Sequence, residues 1–224
     1  MARHLDLEEQ EQLDELKHFW NQWGNLITWF LIAVFGAFAA WNAWQYWERT
    51  QALKASALYE EVERAAVAGD VGRVEQGLKD IRDKFGRTSY AQQAALLAAR
   101  SFSEKGKPDA AKAALQWVAE DASDEGLQAV ARLRLAAMLV EGKAYDEALK
   151  QLAGLPAEFE ALAADRRGDI YKLQDKKEEA KAEYTKAWKA FAPDSEYRML
   201  VEVKLTALGV DVQALKPPVE SAKS

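Results

Sequence analysis

Residues able to carry out catalysis are scarce in this chain. Its two histidines, His4 and His18, both lie within the first 18 residues, and the chain has no cysteine. The part that follows, from Glu48 onward, therefore has no histidine-based triad, no thiolate and no cysteine-type zinc site. It also has no glycine-rich phosphate loop and no Gly-x-Ser-x-Gly motif.

Paired carboxylates are the remaining candidates for acid–base chemistry. Glu60 and Glu61 form one pair and Glu178 and Glu179 another, each in a lysine-containing segment of helical periodicity. Such pairs are better explained as solvated helix faces than as general acids and bases. We therefore predict that the protein is not an enzyme and holds no cofactor or metal.

The uncharged stretch predicts one transmembrane helix. Between Lys17 and Glu48 there are 30 residues without Asp, Glu, Lys or Arg. A helix over residues 26–47 would be about 33 Å long, which matches a bilayer core. Tryptophans lie at both ends, as in interfacial aromatic belts, so we assign residues 19–47 to this anchor. A buried core helix rarely stays uncharged on every face.

The segment before the anchor argues against a cleaved signal peptide. Residues 1–18 carry six acidic side chains against Arg3 and Lys17, whereas a signal peptide begins with a basic region. We expect a short acidic segment, either a solvated tail or a short amphipathic helix. Lysine and arginine are so evenly divided between the two flanks that charge alone does not orient the helix.

Residues 48–209 predict a stack of antiparallel helix pairs. Apolar positions recur every three or four residues, and short Gly, Pro, Ser and Asp breaks follow one another at intervals of about 14–22 residues, which indicates about nine helices. Val74, Ala111, Ala148 and Ala180 can be aligned at spacings of 37, 37 and 32, close to the roughly 34-residue period of tetratricopeptide repeats. Gly168, Tyr171 and Tyr184 complete the clearest unit.

The predicted fold is thus all-α: one N-terminal transmembrane helix followed by a tetratricopeptide-like solenoid, with a flexible tail from residue 210 to 224. The part after the anchor has 28 basic and 30 acidic residues, so it lacks the basic excess of a nucleic-acid-binding surface. Helical repeats of this kind offer a surface that binds protein segments.

Two runs of sequence resemble the YfgM family, an ancillary subunit of the SecYEG translocon in bacterial inner membranes. They are Asp124–Ala136, with its Leu-Arg-Leu-Ala run, and Ala164–Asp169, with its Asp-x-Arg-Gly run. The resemblance extends over nearly the whole chain and includes the acidic start, the Trp-flanked anchor and the alanine-rich repeats. The first repeat and the tail match least closely.

The resemblance implies a cytoplasmic N-terminus, a single span of the inner membrane and a periplasmic repeat domain. The partners it implies are the SecYEG translocon, a PpiD-like chaperone, unfolded secretory clients and a stress-response regulator at the cytoplasmic tail. By the same analogy the first helix of each repeat forms the binding face. The residues we predict there are Leu96, Arg100, Val130, Leu133, Ala137, Leu162, Asp165 and Asp169, and the competing interpretation is that some of them belong to the core.

Two other functions remain open from sequence. The repeats would serve equally as a scaffold for envelope assembly, and an opposite orientation would make the protein a cytosol-facing regulator of a stress response. The regulator requires the repeats to lie in the cytosol, whereas the translocon subunit and the envelope scaffold require them to lie on the other side of the membrane.

Overall fold

The computed structural model describes the backbone of residues 7–215 and the side chains of residues 13–215. The described chain consists of nine α-helices and a short 3₁₀ turn and contains no strand, which confirms the all-α prediction. The elements are α1 (Leu7–Val67), α2 (Val71–Phe85), α3 (Ser89–Glu104), α4 (Pro108–Asp121), α5 (Glu125–Glu141), α6 (Tyr145–Gln151), α7 (Ala157–Leu173), α8 (Lys177–Ala190), α9 (Glu196–Ala207) and the 3₁₀ turn Gln213–Leu215. The predicted breaks at Gly69, Gly86, Gly106 and Gly142 each fall between two of these helices.

The chain divides into two compact units, residues 1–53 and 54–224. In the first unit, α1 carries the predicted membrane span, with a mean hydropathy of 1.8 over an 18-residue window of which none is buried. Its polar side chains bond within the helix: Thr28 donates to the Gly24 carbonyl at 2.7 Å and Asn42 to the Phe38 carbonyl at 2.8 Å. By length and composition the helix is able to cross a membrane.

Helix α1 does not end where the predicted anchor ends, at residue 47. It has 61 residues and continues to Val67, because no glycine or proline occurs between Gly36 and Gly69 to stop it. Residues 7–18 of the acidic segment also belong to this helix. Residues 1–6 lie outside the described part.

Side-chain caps fix the starts of three helices in the second unit. Asp70 accepts a hydrogen bond from the Arg73 amide, Thr88 from Ala91 and Asp124 from Leu127. The neighbouring hydroxyl residue, Ser89, is the first residue of α3 and not its cap. Thr88 takes the role because its backbone is extended, which aims its hydroxyl oxygen at the free amides of the first turn.

The aligned repeat positions are the points where paired helices touch. Val74, Ala111, Ala148 and Ala180 are all fully buried, one on each of α2, α4, α6 and α8. The largest core cluster joins the end of α1 to α5, and a second joins α7, α8 and α9. Between them lie two smaller clusters around α6, so the core is thinnest in the middle of the unit.

Helix α9 and the residues after it close the unit. Val201 and Leu205 on α9 are fully buried, and Val212 is 4% exposed against the same cluster. The ordered packing therefore extends past residue 210, where the sequence analysis began the flexible tail. Residues 216–224 of that tail lie outside the described part.

Gly168 allows the closest helix approach in the repeats. A Cβ atom built there would lie 2.5 Å from Cδ1 and 2.6 Å from Cε1 of the Tyr184 ring, and Tyr184 is fully buried. We expect Gly168→Ala to destabilise the protein by about 1–3 kcal/mol, since the ring has no room to retreat. Thermal unfolding of the detergent-solubilised chain, followed by circular dichroism, measures the effect.

Gly72→Ala is the matched control. A Cβ there meets only the Asp70 carboxylate, at 3.6 Å, and alanine favours the helix, so its melting temperature should equal or exceed that of the wild type. A Gly168→Ala protein that melts with the control would contradict the close contact.

Candidate protein-binding surface

The odd-numbered helices form one layer of the repeat unit. Helix α3 contacts α5, and α5 contacts α7, in addition to the hairpin contacts of each with its even-numbered neighbours. On the other layer a groove of about 660 Å³ opens between α2 and α4, floored by Leu78 and Phe102. The odd-numbered helices therefore touch one another directly, whereas a groove separates α2 from α4. A stack with this difference curves so that the odd-numbered helices form its inner layer.

Helices α3, α5 and α7 each leave one stripe of their surface uncovered. The stripes share the spacing i, i+4, i+7, i+11, and all their members are exposed or half-buried. We call these twelve residues the open face: Gln93, Leu97, Arg100 and Glu104 on α3; Val130, Arg134, Ala137 and Glu141 on α5; Leu162, Arg166, Asp169 and Leu173 on α7.

Five of the eight predicted binding residues belong to the open face. Arg100 and Ala137 are exposed, and Val130, Leu162 and Asp169 are half-buried. They occupy equivalent positions in consecutive repeats, because Arg100, Ala137 and Asp169 each follow the small residue at the centre of their helix. Their role in binding remains a prediction.

The other three predicted residues face neighbouring helices. Leu96 is 7% exposed and belongs to the main core cluster, and Leu133 is packed against the two small clusters. Asp165 is 1% exposed. Each of these three residues directly precedes an open-face residue and so points to the side of its helix, where adjacent odd-numbered helices meet. They therefore offer a partner little surface.

The other seven residues of the open face are not among those predicted from the sequence: Gln93, Leu97, Glu104, Arg134, Glu141, Arg166 and Leu173. Gln93, Arg134 and Arg166 are all exposed. Nη1 of Arg134 donates to the Leu96 carbonyl at 3.1 Å, so this side chain spans from α5 to α3. The repeat alignment carried the signal, since Arg134 and Arg166 both lie two residues before the small residue of their helix.

The open face carries mixed charge. Three arginines are balanced by Glu104, Glu141 and Asp169, while five of the remaining six residues are apolar. Arg100 pairs with Glu104 at 2.8 Å, and Arg166 with Asp169 at 3.5 Å. A surface that is neutral overall, with apolar and charged groups interleaved, suits a polypeptide segment better than a polyanion.

A buried ionic cluster holds the last stripe of the face in place. Nζ of Lys204, on α9, lies 2.7 Å from Oδ1 of Asp165 and 2.8 Å from Oδ1 of Asp169. The Tyr184 hydroxyl donates to Asp169 at 2.8 Å. Burial raises the pKa of Asp165, although the hydrogen bond from Lys204 opposes the shift, and burial together with Asp169 raises the pKa of the Tyr184 phenol.

A second ionic cluster joins α7 to α8 and to the end of α6. Arg167 donates through Nε to Glu183 at 2.8 Å, through Nη2 to Glu160 at 2.6 Å and through Nη1 to the Leu152 carbonyl at 2.9 Å. Partial burial alone would raise the pKa of Glu160, but the hydrogen bonds from Lys186 and Arg167 outweigh it and lower that pKa. Arg132, on α5, donates to the Lys150 and Ala153 carbonyls.

The paired carboxylates considered for catalysis lie on solvated helix faces. Glu60, Glu61, Glu178 and Glu179 are all exposed. Glu60 pairs with Arg64 at 3.8 Å and Glu178 with Lys181 at 2.8 Å, both within one helix. These are ordinary intrahelical ion pairs.

Comparison with known proteins identifies the class of this chain. A family model described as a tetratricopeptide repeat-like domain matches residues 17–210. A protein of Neisseria gonorrhoeae named "Ancillary SecYEG translocon subunit" is 31% identical over 210 residues, which cover 93% of this chain and 100% of that protein. Proteins of the same name from Escherichia coli and Haemophilus influenzae are each 31% identical, over 81% of this chain and 86% and 89% of their own lengths.

The repeat architecture and the family match define a helical-repeat protein with one apolar N-terminal helix. Because the relatives match along nearly their full length, the chain belongs to the family of ancillary SecYEG translocon subunits, the YfgM family that the sequence runs resemble.

Removal of Lys204 tests the first ionic cluster. We expect Lys204→Met to cost about 3 kcal/mol at pH 7.5, because it leaves a buried carboxylate without its cation. Asp165 already has a folded-state pKa above its ordinary value, and loss of Lys204 raises it further. The loss of stability should therefore be smallest below about pH 4, where Asp165 is protonated in both states, and grow as the pH rises through the folded pKa.

The measurement is the difference in melting temperature between variant and wild type across this pH range. Lys177→Met removes an exposed pair, with Asp175 at 3.8 Å, and should change stability by less than about 0.5 kcal/mol at every pH. A Lys204→Met penalty that is independent of pH would contradict the ionic cluster.

Proposed function

We propose that this protein is a membrane-anchored, non-enzymatic binding subunit of the Sec translocon. In this proposal α1 spans the inner membrane with the N-terminus in the cytoplasm, and the repeat unit works in the periplasm beside a PpiD-like chaperone. The open face receives polypeptide segments of secretory or outer-membrane proteins as they leave SecYEG. The observation that carries the proposal is the end-to-end match to relatives named as ancillary translocon subunits.

The composition of the open face supports polypeptides as its ligands. Apolar side chains on α3, α5 and α7 supply contact area, and the arginines and carboxylates between them supply hydrogen-bonding groups for peptide backbone and polar side chains. Since the face has no net charge, affinity should depend on salt only weakly. A weak, mixed surface of this kind suits transient contact with many sequences.

The orientation is tested by cysteine labelling, because the chain has no cysteine of its own. Glu120→Cys places a single thiol at an exposed position of α4. We expect a membrane-impermeant maleimide to label it in intact spheroplasts. Lys17→Cys, on the other side of the span, is the matched control and should react only after lysis.

The reverse labelling pattern would put the repeats in the cytosol. It would overturn the periplasmic role and favour the stress-response regulator instead.

The binding face is tested by photo-crosslinking in cells. We expect a photoreactive amino acid at Ala137, on the open face, to form adducts with SecYEG, the PpiD-like chaperone or a stalled secretory chain. The same group at Glu120, on the even-numbered layer, should form few. Arg134→Glu should lower the Ala137 adduct yield, because it removes the central cation, whereas Arg87→Glu, an equal charge change on an exposed loop residue, should not.

Equal yields from Ala137 and Glu120 would contradict the assignment of the open face. Adducts with proteins of outer-membrane assembly, but with no translocon subunit or secretory chain, would support the envelope scaffold in place of the translocon subunit.

A further inference from the structure

Helix α9 lies beside α7 as the next helix of the odd-numbered layer. Leu96 on α3 and Leu133 on α5, each directly before an open-face residue, lie where the next odd-numbered helix packs. The equivalent residue of α7 is Asp165, and Nζ of Lys204 on α9 lies 2.7 Å from its Oδ1. Helix α9 therefore occupies beside α7 the place that α5 occupies beside α3.

The rotation of α9 places a fourth stripe next to the open face. Val201 and Leu205 are fully buried, and the Arg198 guanidinium lies 4.1 Å from the centre of the Trp188 ring, so these contacts fix the rotation. The open-face spacing of i, i+4, i+7, i+11, continued about 34 residues beyond the stripe on α7, selects four exposed residues. We call them the fourth stripe: Glu196, Leu200, Val203 and Ala207.

The exposure of Met199 agrees with this assignment. On α9 it holds the position of Leu96 and Asp165, which face the next odd-numbered helix. In the described chain no further α-helix follows α9, and Met199 is 59% exposed. Met199 therefore marks the edge of the layer, whereas Leu200 and Val203 lie on the same side of the layer as the open face.

The fourth stripe differs from the open face in its exposed apolar groups. Each of α3, α5 and α7 contributes an arginine and a carboxylate to the open face, but the only charged residue of the fourth stripe is Glu196. Leu200 is 49% exposed and Val203 65%, and Leu173 at the end of the stripe on α7 is 57% exposed. The surface thus changes from mixed charge on α3 and α5 to apolar between α7 and α9.

We propose that the fourth stripe extends the open face and binds the apolar residues of an extended polypeptide segment whose other residues are polar. This inference rests on the proposed binding function of the open face and specifies what its ligand contains. The stripe exposes only two large apolar side chains, too few for a stable protein interface alone. A ligand that binds here must therefore continue onto the open face.

The spacing of the helices sets the length of such a segment. Packed helices lie about 8–10 Å apart, and an extended chain advances about 3.3 Å per residue, so each helix corresponds to about three residues. A segment that lies across α3, α5, α7 and α9 would have about nine residues or more, with its large apolar side chains at the α9 end.

Peptide binding to the full chain in lipid nanodiscs tests the extension. The first probe is a fluorescent peptide of about twelve residues, with leucines in one half and Ser, Asn and Gly in the other. The second probe has serine in place of every leucine. Fluorescence anisotropy, with empty nanodiscs as the blank, measures both affinities. We expect Val203→Ser to weaken binding of the leucine peptide several-fold and to leave binding of the serine peptide unchanged, because only the leucines contact α9.

Met199→Ser is the matched control. It removes a similarly exposed apolar side chain from the same helix but outside the fourth stripe, so both affinities should stay at the wild-type value. Unchanged melting temperatures verify that neither substitution disturbs the core. Equal losses from Val203→Ser and Met199→Ser, or a Val203→Ser loss that is the same for both peptides, would overturn the extension.

Arg134→Glu distinguishes failure of the extension from failure of the proposed function. If it weakens both peptides while Val203→Ser weakens neither, the open face binds polypeptide without α9, and only the extension is overturned. If neither peptide binds the wild-type chain above the blank, the open face does not receive polypeptide segments, and the extension is overturned with it.

Discussion

The contact between Gly168 and Tyr184 determines how the last repeat is built. The ring lies so close to the Gly168 Cα that no side chain fits between them, and its hydroxyl is thereby brought within 2.8 Å of Asp169. Asp169 and Asp165 can then share the ammonium group of Lys204. One close approach between α7 and α8 thus sets the position of the ionic cluster, and the cluster in turn holds α9.

Small residues also lie at the helix crossings of the other repeats, where the surrounding side chains are less polar. Ala99 and Ala136 occupy the place of Gly168 and are each 2% exposed, so α3 and α5 also approach their partners closely. Because the crossing points are equivalent, the residues just beside them emerge at equivalent places on the surface. The open face follows from this regularity: three helices in the same rotation present the same four positions to a ligand.

The sequence predicts the order and extent of the helices well, because glycine, proline and capping residues act locally. The breaks at Gly69 and Pro108 are decided by backbone geometry within a few residues. The continuation of α1 past residue 47 could be inferred from the lack of any glycine or proline that would stop the helix. The charged residues from Glu48 onward mark where the helix leaves the apolar environment, and they do not mark where its backbone stops being helical. The packing past residue 210 depends on Val212, which is buried in the cluster that joins α7, α8 and α9 and which no local pattern reveals.

The surface was harder to predict for a related reason. A rotation of about 100° around the helix axis separates Leu96, in the core, from Leu97, the α3 position on the open face that is equivalent to Arg134. Alignment of single residues between repeats does not resolve such a rotation, whereas the contact from Arg134 to the Leu96 carbonyl does. Asp165 illustrates the same difficulty, since its buried place depends on Lys204, which is 39 residues further along the chain.

The two arginines around α6 bear on how the repeat unit folds and unfolds. Helix α6 has only seven residues and lies where the core is thinnest, yet the carbonyls at its end are bound by Arg132 from α5 and Arg167 from α7. Repeat arrays divide most easily at their weakest interface. Here that interface is spanned by hydrogen bonds from both directions, so we expect the helices before and after α6 to unfold together.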